Sequence, residues 1–403
     1  MLAVLQVMTT PKIISRDYVL SFFAQFAFSS VFCILIPAIP IYLLRSGSKE
    51  GEIGFLVGIF SVSSLILRPF VGKALLSIPE RKFMAFGALL YILSCLAYII
   101  APPFWPLLIV RVLQGIGMAF FSTASFTLLA DIIPEAYRGR LISLFYLSNN
   151  LSFALGPYLS MLLINRFNFS VLFLVCTGLS ICAGYLTLKL RKREVLPAKK
   201  ESFRIHSFLS REALPPATIA FMLNIIWGTL CAFFPLYALK HGVSNPGTFF
   251  IFLAITLMLG RLLGGRILDI YEREKVIRPC LALIVIGITI MPFANSLTIF
   301  ILVAVILGTG WAFLYPSLTI HVIETAGLSR GPAMATFTAL ADLGAGLGPM
   351  VMGFILQRTS YPIMFACLTL TGITNFLYFY YARDKKGQNA HKMMEGAAKE
   401  TLS

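Results

Sequence analysis

The chain has 403 residues, of which 58% are apolar or aromatic and only 12% are charged. A soluble globular protein has about 45–50% apolar and about 25% charged residues, so an aqueous core cannot bury this much apolar surface. The composition therefore predicts an integral membrane protein and excludes a soluble enzyme, a secreted disulfide scaffold and a DNA-binding domain. The net charge of +16 would fit nucleic-acid binding, but the positions of the basic residues argue against it.

Apolar runs between charged, Pro or Gly breaks predict twelve membrane-spanning helices. Roughly 20 apolar residues cross a bilayer as a helix, and a helix satisfies its own backbone polar groups in lipid. The ten-residue alternation of a membrane barrel is absent, so the predicted fold class is an all-α integral membrane protein. In chain order the predicted spans are 18–44, 53–76, 83–101, 106–130, 141–163, 170–190, 216–239, 247–268, 277–295, 298–322, 332–356 and 361–382.

The Lys and Arg residues predict the orientation of the chain. Twelve spans place both termini on one side, and 25 of the 33 basic residues fall in the tails and loops of that side. Five lie on the opposite side and three lie inside spans. Basic loops are retained in the cytoplasm, so we expect cytoplasmic N- and C-termini. The charge thus reflects topology and attraction to anionic lipid rather than nucleic-acid recognition.

Targeting, redox and cofactor signals are few. The first 17 residues lack a cleavage-site pattern, so we expect no removable signal peptide. The seven cysteines all fall inside predicted spans, and an odd number in helices indicates neither a disulfide framework nor a metal site. No Walker motif, dinucleotide fingerprint or metal-spaced His/Cys cluster occurs in the sequence, so we expect no metal and no cofactor.

The sequence divides into two halves. We expect an N-terminal six-helix bundle over 1–190, a cytoplasmic linker over 191–213, a C-terminal six-helix bundle over 214–383 and a cytoplasmic tail over 384–403. Five patterns recur in the same order at an offset of 192 to 195, which indicates a duplication. They are Pro40-Ile-Tyr42 with Pro235-Leu-Tyr237, Arg68-x-x-x-Gly72 with Arg261-x-x-x-Gly265, Gly115-x-Gly117 with Gly308-x-Gly310, Arg138-Gly139 with Arg330-Gly331, and Gly156-Pro157 with Gly348-Pro349. A parallel repeat predicts two bundles related by a pseudo-twofold axis, with a binding site between them at the midplane.

Over residues 15–385 the chain resembles the major facilitator superfamily. Segment 111–117 on span 4 (Arg-Val-Leu-Gln-Gly-Ile-Gly) resembles the family motif Arg-x-x-Gln-Gly-x-Gly, and 156–157 on span 5 resembles the Gly-Pro motif of its antiporters. Ser152 and Ser160 stand where that motif usually has Gly. The resemblance implies that the chain has the family fold and is a transporter rather than an enzyme. It also implies that the protein works as a monomer in a bacterial inner membrane.

A third family motif, in the loop after span 2, is partly lost in the first half. Leu76 occupies its Asp position, whereas the second copy keeps the acid as Asp269. In the family this loop latches the two halves together, so the resemblance implies a latch at Asp269. Separately, we expect the Gly-Pro pairs to bend spans 5 and 11, because Pro removes a backbone hydrogen bond. The predicted gating and hinge residues are Gly72, Gly156, Pro157, Gly265, Asp269, Arg273, Gly348 and Pro349.

Asp342 is the one acidic residue well inside a predicted span. It lies ten residues into span 11, about 15 Å deep, where a charge costs several kcal/mol. At an offset of 192 it corresponds to Asn150, so one half presents a carboxyl group and the other an isosteric amide. Two hypotheses stay open: Asp342 couples transport to a proton or cation, or it is a structural carboxylate that is neutralised by Arg111 or hydrogen-bonded to a neighbouring helix.

Arg111 is the second candidate for proton coupling, because its family counterpart faces the cavity. A guanidinium stays charged, so it acts on a nearby acid or binds a carboxylate substrate. Arg68 and Arg261 lie near cytoplasmic span ends, where we expect their charged groups to reach the membrane interface. The family lines its cavity with spans 1, 4, 7 and 10. With the polar residues of span 5, the predicted substrate-binding residues are Gln25, Phe26, Ser29, Gln114, Asn149, Asn150, Asn224, Trp227, Trp311 and Tyr315.

Such a cavity is apolar and aromatic, which suits a small amphipathic molecule better than a phosphate or a sugar. The leading hypothesis is a secondary active transporter that exports such a molecule in exchange for protons. The incomplete motif of span 5 leaves uptake by symport or facilitated diffusion open. A receptor or scaffold on a carrier fold is disfavoured because the tail over 384–403 is too short for a signalling domain, and an embedded enzyme because Asp342 stands alone.

Overall fold

The computed structural model describes residues 15–100, 104–133, 138–191, 213–270, 273–325 and 330–400. This part of the chain forms twelve α-helices and one short 3₁₀ helix (Met291–Phe293), and it contains no strand. The helices are α1 (Arg16–Arg45), α2 (Glu50–Ala74), α3 (Glu80–Ile100), α4 (Trp105–Ile132), α5 (Arg138–Arg166), α6 (Phe169–Leu188), α7 (Leu214–Lys240), α8 (Gly247–Ile270), α9 (Arg273–Ile290), α10 (Leu297–Thr325), α11 (Arg330–Arg358) and α12 (Tyr361–Glu400).

Each predicted span corresponds to one of these helices, which confirms the all-α fold class. Ten of the helices are long and apolar enough to cross a membrane. Of the other two, α8 has a shorter apolar stretch (Gly247–Arg261), and α5 is interrupted by the polar run Ser148–Ser152. These two helices pack against each other, so their polar residues are placed against protein rather than lipid. The chain is a multi-pass integral membrane protein.

Helices α1–α6 form one bundle and helices α7–α12 form the other. In the first bundle α1 packs on α5 and α6, α2 on α4, and α3 on α4 and α6. In the second bundle α7 packs on α11 and α12, α8 on α10, and α9 on α10 and α12. The second set is the first set shifted by six helices, so the sequence repeat is also a structural repeat. Most of the linker over 191–213 lies outside the described residues, and the three boundaries between the predicted segments stay predictions.

The two ends of the molecule are named here from the first helix: α1 begins at the near face and ends at the far face. At the near face, Asp17 in the first turn of α1 accepts a hydrogen bond from the backbone N–H of Arg191, which follows α6 (3.5 Å). At the far face, the Tyr42 ring lies 5.2 Å from that of Phe169, which begins α6. Helices α1 and α6 therefore run in opposite directions.

Two helix pairs make the most extensive contacts between the bundles: the first seam is α2 with α11, and the second seam is α5 with α8. Helix α7 also contacts α1 and α2. Near the far face, a Cβ atom added to Gly54 of α2 would overlap the carbonyl oxygen of Pro349. In the second seam, a Cβ on Gly247 would lie 2.5 Å from the carbonyl oxygen of Pro157. Because both glycines and both prolines are related by the repeat, the same backbone contact occurs twice. The two bundles therefore meet backbone to backbone at the far face.

Candidate functional site between the two bundles

Two cavities adjoin the contact between the bundles, and the indole of Trp227 contributes to both walls. Both bundles line the far cavity, whereas α7, α8 and α10 of the second bundle line the near cavity. The far cavity has a volume of 160 Å³ and an almost entirely apolar wall. Trp227 stacks on Phe153 of the opposite bundle, with ring centroids 5.3 Å apart, and meets Trp311 edge-on at 5.0 Å. The far cavity is lined by Phe32, Leu35, Ile36, Ile39, Pro40, Val57, Phe60, Ser61, Arg111, Phe153, Trp227, Gly228, Cys231 and Ala345.

The near cavity has a volume of 190 Å³ and a more polar wall. Four of the predicted substrate-binding residues line it, together with a leucine and an arginine that were not predicted to bind substrate. Its lining residues are Asn224, Trp227, Leu257, Arg261, Trp311 and Tyr315. That the four bind substrate stays a prediction, but their side chains share one cavity.

The Arg111 guanidinium is held by neutral groups of its own bundle. Its Nε donates to the Leu56 carbonyl (2.9 Å), its Nη2 to the Val57 carbonyl (3.3 Å) and its Nη1 to Oε1 of Gln114 (2.8 Å). Its planar face lies 4.9 Å from the centroid of the Phe60 ring, a cation–π distance. Arg111 thus fastens α4 to α2 and closes one side of the far cavity. A role in proton coupling stays a prediction.

Asp342 forms an ion pair with Arg68 across the first seam, and it is the one ion pair among the described side chains. The hypothesis that Arg111 neutralises this carboxylate is therefore wrong. The expectation that Arg68 reaches out to the membrane interface is wrong as well, because its guanidinium pairs with this carboxylate on the other bundle. The two side chains are 35% and 31% exposed, so solvent reaches the pair. The Tyr315 hydroxyl lies within electrostatic range of both groups.

The second seam carries the repeat-related version of this contact. Arg261 donates through Nη1 to Oδ1 of Asn150 at 3.2 Å. Arg261 corresponds to Arg68 at an offset of 193, and Asn150 corresponds to Asp342 at 192. Arg261 thus lies in the wall of the near cavity rather than at the membrane interface where we expected it. An arginine bridges each seam, to a carboxylate in one and to an amide in the other.

Three predicted substrate-binding residues bind one another instead of lining either cavity. Gln25 donates through Nε2 to Ser29 (2.9 Å) and to Asn149 (3.0 Å), and the Ser29 hydroxyl also donates to Asn149 (2.5 Å). This network joins α1 to α5 within one bundle. It explains why polar residues are tolerated there, since each polar group in an apolar helix pair needs a partner.

The two remaining predicted substrate-binding residues are also absent from both cavity walls. Gln114 is fully buried and accepts hydrogen bonds from the Tyr98 hydroxyl (2.7 Å) and from Arg111. Phe26 is half-buried, and its backbone carbonyl accepts hydrogen bonds from Ser30 and Ser152. Both residues therefore have structural contacts in the first bundle.

The Gly-Pro pairs bring helices together. A Cβ on Gly156 would lie 2.6 Å from Cβ of Cys33, and a Cβ on Gly348 would overlap the carbonyl oxygen of Ile225. These glycines therefore let α5 approach α1 and let α11 approach α7. The prolines that follow them, Pro157 and Pro349, carry the carbonyl groups of the seam contacts. A hinge role for these four residues stays a prediction.

The other predicted gating residues have less structural support. A Cβ on Gly72 would meet nothing within 4 Å, so no close contact requires a glycine there. Gly265 and Asp269 belong to α8, and Arg273 begins α9, but the side chains at these positions lie outside the described residues. The latch at Asp269 stays a prediction.

The glycines of α2 also belong to the contact between the bundles, although they were not among the predicted gating residues. Gly54 and Gly58 face α11 so closely that a Cβ on either would overlap a carbonyl oxygen, of Pro349 and Gly346 respectively. The signal was available, because Gly54 matches Gly247 at the offset of 193 found for other pairs. Likewise, combining the matches Arg68 with Arg261 and Asp342 with Asn150 would have indicated the two bridges.

Comparisons with known proteins agree with this architecture. The Staphylopine export protein of Staphylococcus aureus strain Mu50 is 25% identical over 370 residues, covering 87% of this chain and 91% of that protein. The Quinolone resistance protein NorA of S. aureus strain MSSA476 is 23% identical, covering 88% and 95%. The crystal structure of the nucleoside transporter NupG has a TM-score of 0.76 at 11% identity, over 91% of this chain and 99% of that one, and shows the same fold.

The family assignment follows from the match to a family model. The model described as Major Facilitator Superfamily matches residues 20–328 and 247–402, which together include nearly all described helices. The two bundles, the repeat and the cavities between the bundles are the architecture expected of such a transporter. The chain belongs to the Major Facilitator Superfamily and is a membrane transporter, not an enzyme.

Proposed function

We propose that this transporter exports a small amphipathic organic molecule in exchange for protons. The observation that carries the proposal is the ion pair between Asp342 and Arg68, because it places a titratable group in the contact between the two bundles. The names of the relatives, which include a Staphylopine export protein and a Quinolone resistance protein, support export as the direction. The apolar wall of the far cavity, together with the aromatic and polar side chains that line the near cavity, supports an amphipathic substrate.

In the proposed cycle, Asp342 binds and releases the coupled proton. With Asp342 ionised, its pair with Arg68 helps to hold α2 against α11 in the first seam. Protonation removes the charge of the carboxyl group, so the electrostatic part of this bridge is lost and the closed seam is less stable. Among the described residues, Arg68 pairs with Asp342 and the Tyr315 hydroxyl lies within electrostatic range of it, so the carboxyl group that would take up the proton has polar neighbours.

The substrate would bind between the bundles and cross the layer formed by Phe153, Trp227 and Trp311 when the bundles rock. Phe153 and Trp227 belong to different bundles, so rocking separates their stacked rings and joins the near and far cavities. Arg111 would act as a fixed positive charge in the far cavity, since its hydrogen bonds hold it to α2. No covalent step is needed in such a cycle.

We further propose that the near face is cytoplasmic, that the membrane is a bacterial inner membrane and that the carrier works as a monomer. The distribution of basic residues supports the orientation, since 25 of 33 fall in the tails and loops of the near face. The bacterial relatives support the choice of membrane.

The test uses purified protein in liposomes that contain a pH-sensitive dye. A proton gradient is imposed, and lipophilic cations, neutral drugs and organic acids are added in turn to wild type and to the Asp342→Asn variant. We expect substrate-dependent proton movement in the wild type and none in the variant. The control is Asp17→Asn, which removes a carboxylate at the near face outside both seams and is expected to keep proton movement.

Two outcomes would contradict the proposal. Transport without proton movement, equal in wild type and Asp342→Asn, would indicate facilitated diffusion and leave Asp342 a structural role. Proton movement in the same direction as the substrate would indicate symport and uptake.

A further inference from the structure

We infer that the near cavity is a binding site for an organic carboxylate with an aromatic or apolar body, and that Arg261 holds its carboxylate. The inference names a substrate class for the proposed transport, and its binding part rests on the geometry of this cavity alone. It follows from a comparison of the three arginines that lie between or beside the bundles.

Arg261 has unused donors in a cavity. Among the described residues, its hydrogen-bond partner is the neutral Asn150 amide oxygen at 3.2 Å, and no carboxylate lies within ion-pair distance. A guanidinium offers five N–H donors in a planar fork. The Arg261 side chain is exposed in the wall of the near cavity, so a solute in the cavity can reach the unused donors.

The other two arginines are already occupied. Arg68 has its own carboxylate in Asp342. Arg111 donates to two backbone carbonyls and to Gln114, and Phe60 covers one face of its guanidinium. Arg261 is therefore the arginine of the three that has no described carboxylate partner and whose donors the described protein groups leave mostly unused. A charge in a low-dielectric cavity is costly without a counter-ion, so an anionic ligand binds there with a charge-assisted, bidentate geometry.

The rest of the near cavity specifies the body of the ligand. Trp227 and Trp311 meet edge-on, and with Leu257 they give an apolar wall. The amide nitrogen of Asn224 donates to the Ala220 carbonyl (2.8 Å), which leaves its amide oxygen as an acceptor in the wall. The volume of 190 Å³ admits a small ring, since an apolar cavity of about 150 Å³ binds benzene.

The repeat gives the ligand its place in the mechanism. In the first seam the protein supplies the carboxylate that pairs with the arginine, and in the second seam Asn150 occupies that position. A carboxylate ligand on Arg261 would complete in the second seam the ion pair that Asp342 completes in the first.

The experiment measures quenching of tryptophan fluorescence in purified full-length protein by 4-nitrobenzoate and by its neutral analogue 4-nitrobenzamide. Trp105, which is 70% exposed at the start of α4, is replaced by Phe so that Trp227 and Trp311 report. We expect the carboxylate to bind more tightly than the amide. We expect Arg261→Gln to weaken carboxylate binding about tenfold or more and to leave amide binding unchanged, since a charged hydrogen bond contributes about 1.5–3 kcal/mol.

Two further variants separate loss of the site from loss of charge or of folding. Arg166→Gln removes one positive charge from an exposed position at the end of α5, and we expect no change in binding of either probe. Asn150→Asp keeps Arg261 but gives it an internal carboxylate, in a geometry that the first seam shows to be compatible with the fold. We expect Asn150→Asp to weaken carboxylate binding about tenfold and to spare amide binding.

Three results would overturn the inference: equal affinity of the two probes, no binding of either probe, or carboxylate binding that survives both Arg261→Gln and Asn150→Asp. This assay measures no proton movement. If the probes bind as expected but no proton exchange occurs in liposomes, the proposed function is contradicted and the inference stands. If proton exchange occurs but the carboxylate does not bind as expected, the inference is overturned and the proposed function stands.

Discussion

The first and second seams have the same design and differ in one functional group. Each places a glycine against a proline carbonyl near the far face, and each sends an arginine towards the other bundle. The acceptor is the Asp342 carboxylate in the first seam and the Asn150 amide in the second. A carboxylate can bind a proton and lose its charge, whereas an amide cannot, so we expect the first seam to respond to protons and the second not to. Duplication supplied symmetrical packing, and a single side chain separates the roles of the two seams.

The seams also differ in how closely their backbones approach. In the first seam Gly58 lies against the Gly346 carbonyl, whereas the repeat-related positions of the second seam are Ile251 and Ala154. Larger side chains at a helix contact keep the backbones apart. The first seam is therefore the tighter one and carries the ion pair, and we expect changes there to have the larger effects.

The largest effect is expected from reversing one charge of the first seam. Arg68→Asp places two carboxylates opposite each other, and we expect transport to be lost and the free energy of unfolding to fall by about 2 kcal/mol. This is less than the 3–5 kcal/mol of a fully buried pair, because both side chains are about one-third exposed. Thermal unfolding of the single variants and of the double variant Arg68→Asp/Asp342→Arg completes a mutant cycle.

We expect the double variant to recover stability relative to Arg68→Asp. Strictly additive effects of the two substitutions would show that the two side chains do not interact, and would remove the central distinction between the seams.

The next largest effect is expected from adding bulk to the first seam. Gly54→Leu places a side chain where the Pro349 carbonyl lies, and we expect transport to fall about 10- to 100-fold because overpacking costs about 1–3 kcal/mol in the far-closed state. Gly72→Leu on the same helix is the matched control, since its Cβ would meet nothing within 4 Å. Equal transport rates for the two variants would mean that the far face does not close through this contact.

A smaller effect is expected from making the second seam resemble the first. Asn150→Asp gives Arg261 a carboxylate partner, and we expect the free energy of unfolding to rise by about 0.5–1 kcal/mol, since the pair is partly exposed. Asn149→Asp is the control, because Asn149 accepts hydrogen bonds only from Gln25 and Ser29 among the described contacts. The comparison is made by thermal unfolding in one detergent, and a rise for both variants would rule out a specific bridge to Arg261.

The smallest effect is expected at the aromatic layer between the cavities. Phe153→Leu removes the stacked ring from Trp227 while leaving an apolar side chain, and an aromatic pair contributes about 0.5–1.5 kcal/mol beyond burial. We expect a change in transport rate of about 2- to 10-fold. Phe234→Leu, inside the second bundle, serves as a control for loss of an aromatic ring away from the opposite bundle. Identical rates in Phe153→Leu and wild type would mean that the stack does not limit transport.

Much of the fold was predictable because lipid restricts the choices of the chain. Apolar runs and basic loops defined twelve spans, and the constant offset predicted the paired bundles that the structure contains. The same offset matched Asp342 with Asn150 and Arg68 with Arg261. The partner of Asp342 was not predicted, because nothing in a single sequence says that α2 lies beside α11 rather than beside another helix.

The polar residues of α1 and α5 show the second limit. Gln25, Ser29 and Asn149 were predicted to bind substrate, because buried polar side chains in membrane helices often mark function. They form hydrogen bonds to one another, which depends on the rotation of two helices about their axes and cannot be derived from spacing along either one. Arg261 was missed as a cavity residue for the same reason.

The central claim is that protonation of Asp342 opens the first seam, and its most direct test is a distance measurement. Spin labels are attached at Lys49→Cys and Thr359→Cys, exposed positions beside the far-face ends of α2 and α11, in a background without native cysteines. Electron paramagnetic resonance then gives the distance distribution at high and low pH. We expect a longer distance to gain population at low pH in the wild type, and no change with pH in Asp342→Asn. A pH response that persists unchanged in Asp342→Asn would contradict the account.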